Sequence, residues 1–162
     1  MSSPDRRAFL LLFTALAGCG FTPAYGPSGP ANGIDGSIRV ADPTDKTAFD
    51  LVERLEERLG RPQADRFDLT YTIRTEAIGV GITPENATTR FNLEGTIDWT
   101  LTDRGTDTRV TGGTVRSFTS WSATGSTVAG TAAEEDAALR LMRLLADQIV
   151  TRLIATSGNW AQ

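Results

Sequence analysis

Two stretches of strict alternation constrain this chain more than any other feature in it. Phe67, Leu69, Tyr71 and Ile73 alternate with Arg66, Asp68, Thr70, Thr72 and Arg74. Further on, Phe91, Leu93, Ile97, Trp99 and Leu101 alternate with Arg90, Asn92, Glu94, Thr96, Asp98 and Thr100. Successive strand residues point to opposite faces, so each stretch predicts a strand with one wet face and one buried face. A sheet that is apolar on one side only must cover that side with another layer.

The neighbouring segments supply the cover. Ala48, Leu51, Val52, Leu55 and Leu59 recur at helical spacing, with Thr44 or Asp45 as cap and Gly60 with Pro62 as stop. Asp50, Glu53, Arg54, Glu57 and Arg58 make up its solvated face. A second helix is predicted from the capping box Thr131-Ala132-Ala133-Glu134 to about Ala155, burying Ala137, Leu141, Leu144, Leu145, Ile149 and Leu153. Ile38-Arg39-Val40 reads as a short strand. A third long strand runs from about Arg109 to Trp121 after the turn Asp103–Asp107, and Ser122–Gly130 reads as a loop. The order β-α-β-β-β-α predicts an α+β two-layer sandwich: about four strands, mostly antiparallel, with both helices on one face.

Registers follow from the turns. A connection over Gly79–Asn86 centred on Ile82 sets Ile73 against Phe91, Tyr71 against Leu93 and Phe67 against Ile97, keeping all large apolar residues on one side. Gly95 then lies opposite Leu69 and leaves room for a helix residue to approach. A turn centred on Gly105 sets Arg116 against Glu94 as a cross-strand ion pair, and Gly112-Gly113 suggests a bulge or a close backbone contact. Trp99 is in phase with the core; Trp121, where strand meets loop, is core or interface; Trp160 has no assigned place.

The amino terminus does not belong to this domain. Arg6 and Arg7 precede a ten-residue apolar run, Ala8–Ala17, which is too short to cross a bilayer that needs about 20 residues. A charged start, a short apolar core and small residues at its end make a secretory signal over residues 1–18. Asp5-Arg6-Arg7-Ala8-Phe9-Leu10 also suits twin-arginine export, and the two routes stay open. Leu16-Ala17-Gly18-Cys19 resembles a bacterial lipobox, which implies cleavage between Gly18 and Cys19 and acylation of Cys19. Three acyl chains, each buried CH₂ contributing about 0.8 kcal/mol, would make a stable anchor. Gly20 rather than Asp after the cysteine favours the outer membrane. Residues 19–36, rich in Gly, Pro, Ala and Ser, read as lipidated end and tether. Residues 37–155 form the domain and 156–162 a tail.

Composition closes several chemistries. No histidine is present and Cys19 is the only cysteine, so imidazole-based nucleophilic catalysis, histidine zinc sites and internal disulfides are excluded. There is no glycine-rich phosphate loop, and no cofactor or metal is expected. Losing residues 1–18 removes two arginines and one aspartate from 16 basic and 20 acidic residues, leaving a net charge of −5, unsuited to general nucleic-acid binding. A carboxylate pair of the glycosidase kind remains formally open, with Glu56, Glu57, Glu94 and Asp98 as candidates; their simpler reading is as solvated faces, and no enzyme is expected.

The chain resembles the LPS-assembly lipoproteins, the LptE family. Cys19-Gly20-Phe21-Thr22-Pro23-Ala24-Tyr25-Gly26 matches the start typical of that family, the element order matches its fold, and Asp136–Leu141 continuing through Leu145–Leu153 is similar to its final helix. The resemblance implies an outer-membrane protein on the periplasmic side that plugs an LptD-type β-barrel, assists its assembly, contacts lipopolysaccharide and catalyses nothing. Arg90, beside the Gly79–Asn86 connection, is the candidate lipopolysaccharide contact through phosphate, against a plain reading as a solvated strand-end charge. Arg104, Arg109 and Arg116 are interleaved with Asp103, Asp107 and Glu94, so no basic patch is readable. The competing readings are another envelope lipoprotein serving as a transport accessory and, more remotely, a carboxylate-dependent hydrolase.

Overall fold

The computed structural model describes Gly26, Gly29 and residues 31–82, 88–123 and 126–161. The signal segment, Gly18, Cys19 and the N-terminal octet except Gly26 lie outside the described residues. Within them the order is β1 (Ile38–Val40), α1 (Lys46–Leu59), β2 (Phe67–Ile82), β3 (Thr88–Asp103), β4 (Thr108–Ser122) and α2 (Thr127–Thr156), followed by a 3₁₀ turn, Ser157–Asn159. The sheet order is β1-β2-β3-β4, with β1 parallel to β2 and the remaining pairs antiparallel. This is the expected α+β architecture.

α1 forms where its cap and its apolar stripe agree. Asp45 Oδ1 accepts from the Ala48 N–H at 2.8 Å, and Gly60 at φ 75° ends the helix. Ala48, Leu51, Val52, Leu55 and Leu59 are buried. Asp50, expected on the solvated face, is buried too, because that face turns toward α2 and Lys46 bonds the carboxylate at 3.1 Å. Arg54 belongs to the same seam. Its Nε and Nη2 each reach Asp147 of α2 at 3.1 Å, and Arg58 reaches the same carboxylate at 2.7 Å.

Three parts of the chain depart from the sequence expectation. α2 starts at Ser126, whose hydroxyl accepts from the Ala129 N–H at 3.3 Å, and not at the Thr131 box; Thr131 instead donates back to the Thr127 carbonyl. A Ser cap five residues upstream extends the helix through Gly130, since a lone glycine costs a helix only about 1 kcal/mol. Leu144 falls on the exposed side of α2, and Met142, Ala146 and Val150 fill the core in its place. The stretch expected to be a tether is structured over its last residues. Ala31 and Ile34 are buried, and Gly36 N–H bonds the Leu59 carbonyl at 2.8 Å. The tail is likewise packed: Ser157 is buried and Trp160 meets Phe67 edge-on, with ring centroids 5.1 Å apart.

Both registers differ from those expected. Ile73 pairs with Ile97, Tyr71 with Trp99, Leu69 with Leu101 and Phe67 with Asp103. β2 continues through Gly79–Ile82, residues expected in the connection, and each β2 residue meets β3 six residues further along, an even slide. An even slide keeps every side chain on its face, which is why the face assignment survives the wrong pairing. On the other side Arg116 pairs with Thr96, not Glu94: the turn sets Asp103 against Thr108, one residue off a Gly105 centre, and Val110 adds a second shift as an extra residue between the Leu101–Thr111 and Thr102–Arg109 pairs. Gly95 does meet a helix: a Cβ there would stand 2.9 Å from both Leu141 Cδ2 and Leu145 Cδ1. Gly112 marks a close backbone contact, since a Cβ there would lie 2.7 Å from the Trp99 carbonyl oxygen.

Candidate functional site

The helices cover only part of the sheet. β2 is exposed on both faces from Arg74 to Val80, so the helical layer covers the distal part of β2 far less than that of β3 and β4. The even-numbered residues of the three long strands form an open outer face: Thr70, Thr72, Arg74 and Glu76, then Thr96, Asp98 and Thr100, then Thr114 and Arg116. At its centre Asp98 accepts from the Thr114 hydroxyl and from Arg74. Those two partners, Thr114 first, hold the Asp98 carboxyl below the usual carboxylate range. The face is therefore polar, with Asp98, Thr114 and Arg74 paired at its centre, and large apolar residues, Phe118 (63 % exposed) and Ile78, emerge toward the distal end.

Arg90 stands exposed at that distal end, paired in register with Ser122 of β4 and Gly81 of β2. No salt bridge engages it among the described residues, whereas Arg104 is held by Asp65 at 3.0 Å and Asp68 at 3.2 Å. On the opposite face of the same end, Phe91 and Trp121 stack at 5.1 Å with an interplanar angle of 16°. With Ala77 they floor a cleft of about 410 Å³ roofed by the first turns of α2. Trp121 is thus core, its face closed by Phe91. Trp99 is core as expected, and its indole N–H is buried without a hydrogen-bond partner.

The four candidate carboxylates do not converge. Glu94 and Asp98 lie four residues apart along β3, roughly 13 Å at strand rise, and Asp98 is committed to Thr114 and Arg74. Glu56 and Glu57 are on α1, across the sheet, and Glu57 bonds Arg54 at 2.8 Å. Glu76 and Glu94 do sit directly opposite one another, a pair that the expected register hid. They lie on the open outer face beside Arg74, Thr75 and Thr96, in a shallow depression rather than an enclosed cleft. No group of metal-ligating residues occurs among the described residues.

Comparison with known proteins agrees with this architecture. A lipoprotein structure from Caulobacter crescentus superposes with a TM-score of 0.66 at 20 % identity, covering 79 % of this chain and 95 % of that one. Rare lipoprotein B from Shewanella oneidensis superposes at 0.58 and 14 % identity, covering 78 % and 98 %. A minor lipoprotein from Acinetobacter baumannii does so at 0.54 and 19 %, covering 76 % and 92 %. These similarities establish the fold. The sequence has no significant match among curated proteins. The family model described as LptE, lipopolysaccharide-assembly, matches residues 36–153, from the entry to β1 almost to the end of α2, and the chain belongs to that family.

Proposed function

We propose that this chain is an outer-membrane lipoprotein, anchored through Cys19, that plugs an LptD-type β-barrel, assists its assembly and takes part in inserting lipopolysaccharide. The observation that carries the reading is the family match over residues 36–153, with the family-like octet Cys19–Gly26 upstream of it. The surface is compatible with it. A plug in a wide barrel faces a water-lined, polar wall, and the outer sheet face offers threonine hydroxyls and paired charges, not a broad apolar patch. Among the described residues no helix is long and apolar enough to cross a membrane. No step of catalysis is assigned.

Lipopolysaccharide carries phosphates beside acyl chains. Arg90 is exposed next to a hairpin that bears exposed Ile78 and Val80, which places a cation beside apolar surface. This supports Arg90 as a phosphate contact, and Arg90→Glu is expected to weaken lipopolysaccharide binding in a salt-sensitive way. The test of the main reading is affinity capture of the tagged chain from solubilised outer membrane. A large β-barrel should accompany it, and should still do so for a periplasmic form with Cys19→Ser. Capture without a barrel, under conditions that preserve other barrel complexes, points instead to a general envelope transport accessory. Metabolic fatty-acid labelling with intact mass tests the anchor; an unmodified Cys19 in the wild type would end the lipoprotein reading.

A further inference from the structure

The two long edges of the sheet are treated differently. Along β4, backbone carbonyls are taken by side chains of α2. Arg152 donates to the Thr114 carbonyl at 2.6 Å, Gln148 to that of Arg116 at 3.2 Å and Arg140 to that of Ser120 at 3.4 Å. An edge whose acceptors are taken cannot easily add a strand.

β2 has no such protection. Its outer edge is used by β1 only at the proximal end, where Phe67 N–H bonds the Ser37 carbonyl at 3.1 Å and the Leu69 carbonyl accepts from Ala41 N–H at 2.9 Å. Odd-numbered residues of β2 therefore turn their backbone groups away from β3, and by alternation so do Ile73, Thr75 and Ala77. Among the described residues no backbone partner meets those three. A row of alternating N–H and C=O groups at strand spacing is complementary to another extended backbone.

The same stretch opens onto a pocket. Ala77 is exposed, and it lines the cleft of about 410 Å³ floored by the stacked Phe91 and Trp121. The cleft thus reaches the edge of the sheet across a side chain of one carbon. Thr131 and Glu134 of α2 roof it. On the other face of the strand Glu76 stands opposite Glu94, while the neighbouring Arg74 is engaged by Asp98. Like charges placed directly opposite are unfavourable, and a cation beside Glu76 would offset them.

We propose that the edge of β2 from Ile73 to Ala77 receives an extended segment of the barrel partner as an added strand. That strand sets a large apolar side chain into the Phe91–Trp121 cleft and a Lys or Arg beside Glu76. Backbone hydrogen bonds supply the attachment, and the cleft and Glu76 select the sequence. The demands are compatible, because residues opposite Ala77 and Glu76 are adjacent on the added strand and face opposite sides. The inference rests on the reading of this chain as a barrel plug. Strands within a closed barrel wall are already paired on both sides, so the segment is a loop of the barrel protein that enters the lumen.

The experiment compares the full chain, purified in a non-ionic detergent, with the same chain captured together with its barrel from solubilised outer membrane. Amide hydrogen exchange is read residue by residue along β2. In the free chain the amides of Ile73, Thr75 and Ala77 should exchange fast, and those of Arg74 and Glu76, which face β3, slowly. In the complex the first three should slow by on the order of a hundredfold. Thr75→Pro removes an N–H that β3 does not use and should raise the apparent Kd for the barrel about tenfold. Ala77→Phe fills the cleft from within and should weaken capture similarly. Glu76→Lys places a cation opposite Glu94, so the domain should melt no earlier in urea while barrel capture falls; a change that merely damaged the fold would move both together. A captured complex whose Ile73, Thr75 and Ala77 amides stay fast would overturn the added strand and leave the plug reading standing. Protection already present in the free chain would overturn it as well, since a segment of this chain or a second copy would then hold the edge. Capture of no barrel at all would overturn both readings.

Discussion

Gly95→Ala tests how sheet and helix meet. The added Cβ would lie 2.9 Å from Leu141 Cδ2, 2.9 Å from Leu145 Cδ1 and 3.2 Å from Leu141 Cγ, and both leucines are fully buried. One flexible methyl can swing aside; two buried leucines confronted together have little room. Overpacking of this kind costs about 1–3 kcal/mol. Alanine in a strand recovers roughly 0.5–1 kcal/mol that glycine loses in chain entropy. The net expectation is a loss of about 1–2 kcal/mol, read in urea melts followed by tryptophan fluorescence. At roughly 4 °C per kcal/mol for a domain near this size, Tm falls by about 4–8 °C. A double-mutant cycle isolates the cause. Leu141→Ala alone opens a cavity and costs about 2–5 kcal/mol, and Gly95→Ala added to it should cost nothing or repay part of that loss. A neutral or stabilising Gly95→Ala in the wild-type background, or simple additivity in the cycle, would refute the close approach of α2 to β3.

Leu145→Ala, a fully buried residue at the same contact, is expected to destabilise by about 2–5 kcal/mol, and a loss under about half a kcal/mol would mean the helix face is wrong. Asp147→Asn should cost about 1 kcal/mol, largely additive with Leu145→Ala, because it weakens the link from α2 to Arg54 and Arg58; high salt should shrink that difference. Burial raises the Tyr71 phenol above its ordinary value, with Asp45 and Asp42 adding to it. Its folded pKa exceeds the unfolded one, so its contribution is complete below about pH 10 and is lost as pH rises further. Asp98 has the opposite sign: its carboxyl is lowered, so its contribution is present above about pH 4 and disappears as pH falls through the folded value. Urea melts of Tyr71→Phe and Asp98→Asn across pH should flatten the alkaline and acid limbs respectively.

The layers were legible because they rest on periodicity, which a strand or helix cannot hide. Phe67–Ile73 and Phe91–Leu101 alternate since one face is dry, and the stripe from Ala48 to Leu59 repeats since one side of α1 is dry. Pairing was not legible, because face is invariant to any even slide. Only the turn fixes the slide, and Gly79 and Gly81 look like loop while lying in a strand that continues to Ile82. The start of α2 was misplaced for a related reason. Two capping signals compete, Ser126 and the Thr131 box, and the earlier one wins because Val128–Ala132 prolongs an already nucleated helix at small cost per residue. Ala31, Ile34 and Trp160 were missed because isolated apolar residues in Gly-rich or terminal segments carry no period at all.

The surface was harder still to read, since it depends on which groups the fold leaves unpaired. Sequence named Arg90 from its place beside a turn, and the structure leaves it exposed and without a salt bridge among the described residues. It could not have shown that β2 loses its outer neighbour beyond Leu69, which follows because β1 stops at Ala41 and Pro43 has no N–H to carry the ladder on. Nor could it have shown that Arg140, Gln148 and Arg152, spaced along one face of α2, take carbonyls of β4 at the opposite edge of the sheet. Each edge is set by a residue distant from it in sequence, and no local pattern in the strand itself records the outcome.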